Sequence, residues 1–399
     1  MRTFWHPIYR AQDLPAGRAV PVRIMSQDFT LYRGELSPSP LAGEEPALSA
    51  LRTPNPDESG YSESLSKGRV GGSAPSPQSS PAEGGGGRVH LLDFRCAHRG
   101  TQLSTGWVEG DELRCFYHGW KYDGSGQCVE QPAEPQPFCE RIRVRGYPVE
   151  EYLGLIFAYL GEGDPPPLMR FPEFEDESRG TLLVNQGSVQ PCNYINLIDN
   201  DPVHIYFVHQ TFNSAQGRAD IPVLDCEETD YGFVSRATDA RGSWVYHCYI
   251  PNLVHGRRDG TPKGEAIQWR VPVDDEHTVS HGLTLMFLNG QEAEDYRARQ
   301  ASRDPIQSNR RVNELGQAIL HGELRVQDVD DRSVLFNVQD YVSQVGLGLI
   351  ADLDHQHLGR EDVPTVMLRN IFARELRALA EGRPLKQWTR PAHPLYLES

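Results

Sequence analysis

The chain has 399 residues, with 39 Lys or Arg against 55 Asp or Glu, so its formal net charge is -16. This charge disfavours nucleic acid and anionic membrane surfaces as main partners. The length exceeds what one hydrophobic core usually organises, and no apolar run is long enough for a membrane span or a signal peptide. We therefore expect a soluble, cytoplasmic protein of two domains.

The N-terminal region has the pattern of a small β domain with one insertion. Apolar and polar residues alternate from Arg18 to Arg33, which predicts a β-hairpin with its turn at Ser26 to Asp28. Residues 35–88 are rich in Ser, Pro, Gly and Glu and poor in large apolar side chains. Such a segment buries too little surface to offset the entropy of ordering it, so we predict a disordered insertion.

The rest of the chain mixes helical and strand patterns. Apolar residues near the C-terminus are predicted to share one side of a helix. They are Met367, Ile371, Leu376 and Leu379. A Pro-rich segment at residues 163–174 is typical of a linker. The predicted fold class is α+β, with an all-β domain at residues 1–160 and an α+β domain with a central antiparallel sheet at residues 161–399.

Two short motifs each pair a cysteine with a histidine. One residue separates Cys96 from His98, and two residues separate Cys115 from His118. The other cysteines are scattered and lack such partners, which argues against a disulfide framework. Two thiolates and two imidazoles bind either an iron-sulfur cluster or structural zinc, and the ligand types alone do not separate these alternatives.

The surroundings of these motifs resemble the Rieske non-haem iron oxygenases. Arg-Gly follows the first motif, Gly-Trp follows the second, and a Pro-rich loop at residues 132–135 comes next. The family pairs Cys-X-His with Cys-X-X-His in this form. The resemblance implies that a Rieske [2Fe-2S] cluster binds to Cys96, His98, Cys115 and His118.

A second constellation matches the mononuclear iron motif of the same family. Activation of dioxygen requires Fe(II) with open coordination positions, which two histidines and one carboxylate provide. His204 and His209 stand five residues apart, so their imidazoles converge only if the helix is locally distorted. The resemblance implies that both bind the mononuclear Fe(II), with Asn193 as a site residue ahead of them.

The residues alone do not choose the carboxylate ligand. The candidates are Asp331, Asp340, Asp352 and Asp354. Resemblance to the phthalate-dioxygenase-like branch selects Asp340, which follows Gln339 as in the Gln-Asp pair of that branch.

Asp201 has two interpretations. It directly precedes Pro202, which is typical of a helix N-cap. The resemblance implies a carboxylate that bridges a cluster histidine of one subunit and an iron histidine of its neighbour. The helix before it is shorter than in relatives, so Asp199 remains the alternative bridging residue. A path between subunits implies a ring, typically a homotrimer.

The resemblance implies the terminal oxygenase component of a multicomponent system, which hydroxylates or oxidatively demethylates a small aromatic compound with dioxygen. No glycine-rich dinucleotide fingerprint precedes a helix in the sequence. Electrons are therefore expected from a separate NAD(P)H-dependent reductase, with or without a ferredoxin. The alternative is a Rieske electron carrier that lacks oxygenase activity and binds only the cluster iron.

Overall fold

A computed structural model describes residues 1–35, 87–200, 222–239, 242–258, 263–301 and 305–393, together with residues 395 and 397. Of the predicted insertion at residues 35–88, only residues 35, 87 and 88 belong to this part of the chain. The predicted site residues Asp201, His204 and His209 lie outside the described residues.

The N-terminal part consists of short antiparallel strands. They are β1 (Trp5–Arg10), β2 (Ala19–Ile24), β3 (Gln27–Arg33), β4 (Val89–Asp93), β5 (Trp107–Glu109), β6 (Glu112–Arg114), β7 (Lys121–Tyr122), β8 (Cys128–Glu130), β9 (Gly146–Tyr147), β10 (Val149–Tyr152) and β11 (Leu155–Tyr159). They form three sheets with the orders β2-β3-β4-β9, β1-β11-β10 and β5-β6-β7-β8. The predicted all-β character is confirmed.

The predicted hairpin is formed by β2 and β3, but its turn lies earlier than predicted. Ile24 pairs with Gln27, so only Met25 and Ser26 connect the strands. These two residues have φ values of 49° and 62°. Consecutive positive φ values are those of a type I′ turn, whose twist matches that of the strands. The prediction of a turn at Ser26 to Asp28 was therefore wrong.

The second part contains one large antiparallel sheet and the helices. Its strands are β12 (Thr181–Gln190), β13 (Val223–Glu228), β14 (Gly232–Asp239), β15 (Gly242–Tyr249), β16 (Leu253–Arg258), β17 (Gly264–Pro272) and β18 (Thr278–Met286), in the order β12-β18-β17-β16-β15-β14-β13. The helices are α1 (Pro172–Glu175), α2 (Tyr194–Ile198), α3 (Gly290–Ala301), α4 (Pro305–Leu320), α5 (Leu335–Val345) and α6 (Val363–Ala380). The predicted α+β class is confirmed. Within the described ranges, no helix combines the length and apolar character that a membrane span needs.

The two parts share a hydrophobic core. Leu155 and Phe157 of β11 belong to the same buried cluster as Ile267 and Trp269 of β17. The rings of Phe157 and Trp269 pack edge to face with centroids 5.5 Å apart. The predicted domain boundary at residue 161 thus separates two parts that share one continuous core. That boundary stays a prediction.

The C-terminal helix is confirmed, but its predicted apolar side is partly wrong. Ile371 is 1% exposed, whereas Leu376 and Leu379 are 63% and 62% exposed. Five residues turn a helix through about 500°, so Leu376 lies about 140° from Ile371 around the axis. Gly382, with φ 66°, follows the helix in the left-handed conformation that ends it.

Candidate metal centres

Two loops of similar shape present the paired cysteines and histidines. The first loop follows β4, and the second connects β6 to β7. In each loop a glycine N–H donates to the carbonyl of the cysteine four residues earlier, from Gly100 to Cys96 at 2.9 Å and from Gly119 to Cys115 at 3.1 Å. Both glycines adopt positive φ, 75° and 73°, which strains any residue with a side chain. The glycine in each motif is therefore a requirement of the turn.

The loops bring four side chains together as two pairs. The thiols of Cys96 and Cys115 are both buried and belong to one packed cluster. The rings of His98 and His118 lie edge to face with centroids 4.5 Å apart, and both Nδ1 atoms are buried without a hydrogen-bond partner. Buried polar atoms are rarely left unpaired, so these two nitrogens point to a missing ligand. A thiol pair and an imidazole pair are the donors that the two irons of a Rieske cluster require.

The interaction between the two cysteines favours loss of one thiol proton from the pair. It lowers the pKa of Cys96, and the Tyr122 hydroxyl contributes in the same direction. The same interaction, together with burial, raises the pKa of Cys115. Iron binds cysteine as the thiolate, so a lowered thiol pKa at this centre favours metal binding.

Two aromatic residues, Trp120 and Tyr122, pack against the proposed cluster ligands. The Trp120 ring stacks on the His98 ring, with centroids 4.4 Å apart and planes 8° apart. The Tyr122 oxygen lies 3.2 Å from Cys96 Sγ and accepts the Ala97 N–H at 3.2 Å. Sequence reasoning missed the role of Tyr122. A signal was present in the sequence, because the chain after the second motif is extended and alternate residues of a strand face the same side. Tyr122 is two residues after Trp120 and therefore faces the cluster loops with it.

A cavity of about 960 Å³ lies between the large sheet and the helices α3, α4 and α5. Asp340 lines it from α5, and Arg270 and Ser280 line it from the sheet. The Arg270 guanidinium donates to the Ser280 hydroxyl at 2.7 Å, although Arg270 is largely buried. The cavity thus combines a carboxylate, a buried cation and apolar surface.

The other aspartate candidates lie at the surface. Asp331 accepts hydrogen bonds from Ser333, and Asp352 pairs with His355 at 2.7 Å. Asp354 is exposed. In the part of the chain that the structure covers, no three Cys, His, Asp or Glu side chains converge tightly enough to hold one ion. Asp340 thus lies at a cavity, while the predicted iron ligands His204 and His209 are outside the described residues.

Comparison with known proteins shows which proteins the chain resembles. The family described as the Rieske [2Fe-2S] domain matches residues 78–152. The 5,5'-dehydrodivanillate O-demethylase oxygenase subunit of Sphingobium is 26% identical over 97% of this chain and 78% of its own length. The phenoxybenzoate dioxygenase subunit alpha of Ectopseudomonas oleovorans is 29% identical over 74% of this chain and 73% of its own length. The phthalate 4,5-dioxygenase oxygenase subunit of Pseudomonas putida is 26% identical over 74% of both chains.

The chain thus contains a Rieske [2Fe-2S] domain and is similar over most of its length to oxygenase subunits. Solved structures support this fold. A variant of NdmA from Pseudomonas putida CBB5 with caffeine has a TM-score of 0.63 and 17% identity, over 96% of this chain and 92% of its own. The oxygenase in the reduced oxygenase–ferredoxin complex of carbazole 1,9a-dioxygenase has a TM-score of 0.55 and 16% identity, over 91% and 87% of the two chains.

Asn193 has a structural role that sequence reasoning missed. Its Oδ1 accepts the Ile195 N–H at 3.0 Å and so caps α2. Its Nδ2 donates to the Asp275 carbonyl at 2.7 Å. Both ends of the amide are thus engaged in holding the start of α2.

Asp199, the alternative bridging residue, is engaged inside its own chain. The Arg369 guanidinium donates to Asp199 Oδ2 from Nε at 2.9 Å and also from Nη2. Thr365 of the same helix donates to the Asp199 carbonyl at 3.1 Å. Burial raises the pKa of Asp199, while Arg369 opposes that rise. These contacts tie the end of α2 to α6.

Proposed function

We propose that this chain is the terminal oxygenase component of a multicomponent system, which oxidises a small aromatic compound with dioxygen by hydroxylation or oxidative demethylation. The cluster ligands are Cys96, His98, Cys115 and His118, and the mononuclear iron ligands are His204, His209 and Asp340. When bound, the cluster supplies electrons singly and the mononuclear Fe(II) activates dioxygen. The observation that carries the proposal is the pair of orphaned, buried Nδ1 atoms beside two buried thiols.

The packing of α2 against α5 supports the second site. Asn196 of α2 donates to the carbonyls of Gln344 and Gly348 at 3.2 and 2.8 Å, and its Oδ1 accepts the Ala351 N–H at 3.2 Å. This amide holds the helix that leads into the predicted histidines against the helix that carries Asp340. A carboxylate and two imidazoles from these neighbouring segments form the ligand set of a facial triad.

We keep Asp201 as the bridging carboxylate, because Arg369 already binds Oδ2 of the alternative, Asp199. Asp199 Oδ1 is buried without a hydrogen-bond partner, so Asp199 remains the alternative acceptor for a histidine from another subunit. Asp201 lies two residues further along the chain. With Asp201 in the bridging role, the cluster of one subunit faces the iron of its neighbour in a homotrimer, and Asn193 fixes the helix start ahead of the site.

The cluster loop offers a docking surface for the electron donor. Phe116 and Tyr117, which lie between Cys115 and His118, are 59% and 54% exposed. Exposed aromatic residues are typical of protein interfaces. The partner is a separate NAD(P)H-dependent reductase, with or without a ferredoxin, and the system operates in the cytoplasm. The similar proteins include a demethylase and two dioxygenases of aromatic compounds, which support an aromatic substrate.

Substitution of His204 tests the division of labour between the two centres. With a surrogate reductase, the purified chain is screened against aromatic acids and aryl ethers, following NADH, oxygen and product. His204→Ala should abolish product formation and leave the Rieske absorption and EPR signals intact. His355→Ala is the control, since its imidazole is exposed and pairs only with a surface aspartate. Loss of the cluster signal in His204→Ala would contradict the proposal, as would unchanged product formation.

A further inference from the structure

Two cysteines outside the cluster motifs lie side by side next to the cluster loops. Cys128 belongs to β8, and Cys139 begins the single helical turn Cys139–Arg141. The Cys128 N–H donates to the Ile142 carbonyl at 3.0 Å, and Gln127 Nε2 donates to the Cys139 carbonyl at 2.7 Å. The Cys128 thiol donates to the Glu130 carbonyl at 3.6 Å, and the Cys139 side chain packs against the buried cluster that contains Cys128. A disulfide between them requires the Cys128 thiol to leave this hydrogen bond and turn toward Cys139.

The two thiols differ in access. Cys128 is 2% exposed, whereas Cys139 is only partly buried. Burial and the contact with Cys139 raise the pKa of Cys128 to about 12. A small oxidant in solvent thus reaches the Cys139 thiol first. The Cys128 thiol lies next to it and is shielded from solvent. This arrangement of one accessible and one resolving cysteine is typical of redox-responsive pairs.

Ring contacts connect this pair to the cluster site. Phe138, next to Cys139, packs edge to face against Trp120 with centroids 5.6 Å apart. Trp120 in turn stacks on His98. The Phe138 N–H donates to Gln131 Oε1 at 2.7 Å, which closes the Pro-rich loop between the two cysteines. A cross-link that pulls on residue 139 therefore acts on a proposed cluster ligand through two ring contacts.

We propose that Cys128 and Cys139 are a redox-active dithiol that hydrogen peroxide oxidises to a disulfide beside the cluster. The Cys139 thiolate attacks one peroxide oxygen, the O–O bond breaks, and a sulfenic acid and one water form. The Cys128 sulfur then attacks the Cys139 sulfur, the S–O bond breaks, and the disulfide and a second water form. Two electrons pass from the two sulfurs to peroxide, and both thiol hydrogens leave in water.

The sequence allows a direct test by mass spectrometry. No Lys or Arg lies between Lys121 and Arg141, so trypsin releases both cysteines in one peptide that contains no cluster motif. The cluster-loaded protein is treated with peroxide, alkylated under denaturing conditions and digested. We expect this peptide to lose both alkyl groups and about 2 Da relative to its dithiol form, because a disulfide has two hydrogens fewer. Dithiothreitol should restore both alkylation sites. Cleavage after Glu130 by a glutamate-specific protease should leave two peptides joined by the bond.

Cys139→Ser is the main variant, because its partly buried position tolerates a hydroxyl, and it should abolish the cross-link. Cys226→Ser is the matched control, since Cys226 is also partly buried but lies in β13. In the wild type, the visible circular dichroism of the oxidised cluster should shift with the cross-link and return on thiol reduction. Two retained alkyl groups, or loss of cluster absorption before the cross-link forms, would overturn the proposal. A cross-link without any circular dichroism change would overturn the link to His98.

Discussion

The indole of Trp120 lies flat against the imidazole of His98, with centroids 4.4 Å apart and an interplanar angle of 8°. Trp120 is itself buried, with only 4% of its surface exposed. Because the stack fixes the plane of the imidazole, it also fixes the direction of the orphaned Nδ1. Trp120 is thus a positioning residue for the proposed cluster.

Replacement of Trp120 should therefore weaken both cluster binding and folding. Trp120→Leu removes the stack and leaves a cavity, which is expected to cost roughly 3 kcal/mol of unfolding free energy. Trp120→Phe keeps an aromatic face and should lose less iron. The measurements are iron per chain and denaturant unfolding. Trp388→Leu is the control and should retain full iron content, since Trp388 packs against Arg374 and Lys386 and not against a cluster loop. Equal iron in Trp120→Leu and the wild type would contradict the role of the stack.

Tyr122→Phe should lower the midpoint potential of the cluster while preserving its occupancy. The hydroxyl lies 3.2 Å from Cys96 Sγ, and a hydrogen bond to a ligand sulfur stabilises the reduced cluster. A redox titration followed by EPR measures the shift. Tyr147→Phe is a matched control, because its hydroxyl bonds Asp93 at 2.8 Å and no cluster residue. An unchanged or raised potential in Tyr122→Phe would count against this hydrogen bond.

The four side chains of the proposed cluster centre could be predicted from the sequence because their two motifs are local. Each motif fits within four residues, and Gly100 and Gly119 adopt the positive φ that closes each turn. The contributions of Trp120 and Tyr122 depend on how the extended chain folds back over the first loop. That packing is set by tertiary contacts and has no strong pattern in the sequence.

Arg390→Ala should destabilise the fold strongly. Arg390 Nη2 donates to both oxygens of Glu173 at 2.5 and 2.6 Å, and the two side chains are 3% and 0% exposed. Removal of the guanidinium leaves a buried carboxylate without its cation, at an expected cost of about 3–5 kcal/mol. Chemical denaturation measures the change.

Two further variants make this test specific. Arg383→Ala removes a guanidinium from an exposed pair with Glu381 and should change stability by less than about 1 kcal/mol. Combining Arg390→Met with Glu173→Gln removes both charges and should recover part of the loss. If Arg390→Ala were no more harmful than Arg383→Ala, the buried pair would have no stabilising role.

Stability should fall on acidification partly through His281. Burial lowers the pKa of His281 to about 4, and neither ring nitrogen has a hydrogen-bond partner. An unfolded histidine has a pKa of about 6.5, so the unfolded chain takes up this proton first as the pH falls. The stability present above pH 6.5 is therefore lost between about pH 6.5 and pH 4, on the order of 3 kcal/mol from this group.

Unfolding of His281→Leu over this pH range tests the assignment. The decline between neutral and acidic pH should be smaller in the variant than in the wild type. His321→Leu is the control, because that histidine is exposed and solvent reaches it in both states. Parallel stability curves for His281→Leu and the wild type would contradict the prediction.

The second centre was less accessible to sequence reasoning, because its proposed ligands are far apart in the chain. Nothing local distinguishes Asp340 from Asp331 or Asp352, and only the fold places Asp340 at the cavity. The same holds for Asp199. Its resemblance to a bridging residue rests on the neighbouring sequence, whereas its ion pair with Arg369 joins residues 170 positions apart in the chain.

The ratio of iron to acid-labile sulfide in the purified, reconstituted chain tests the central claim most directly. A Rieske cluster together with a mononuclear iron predicts about three irons and two sulfides per chain. Asp340→Asn should lower the iron to about two without loss of sulfide, while Asp331→Asn should change neither value. About two irons and two sulfides in the wild type would contradict the oxygenase account and favour a simple electron carrier.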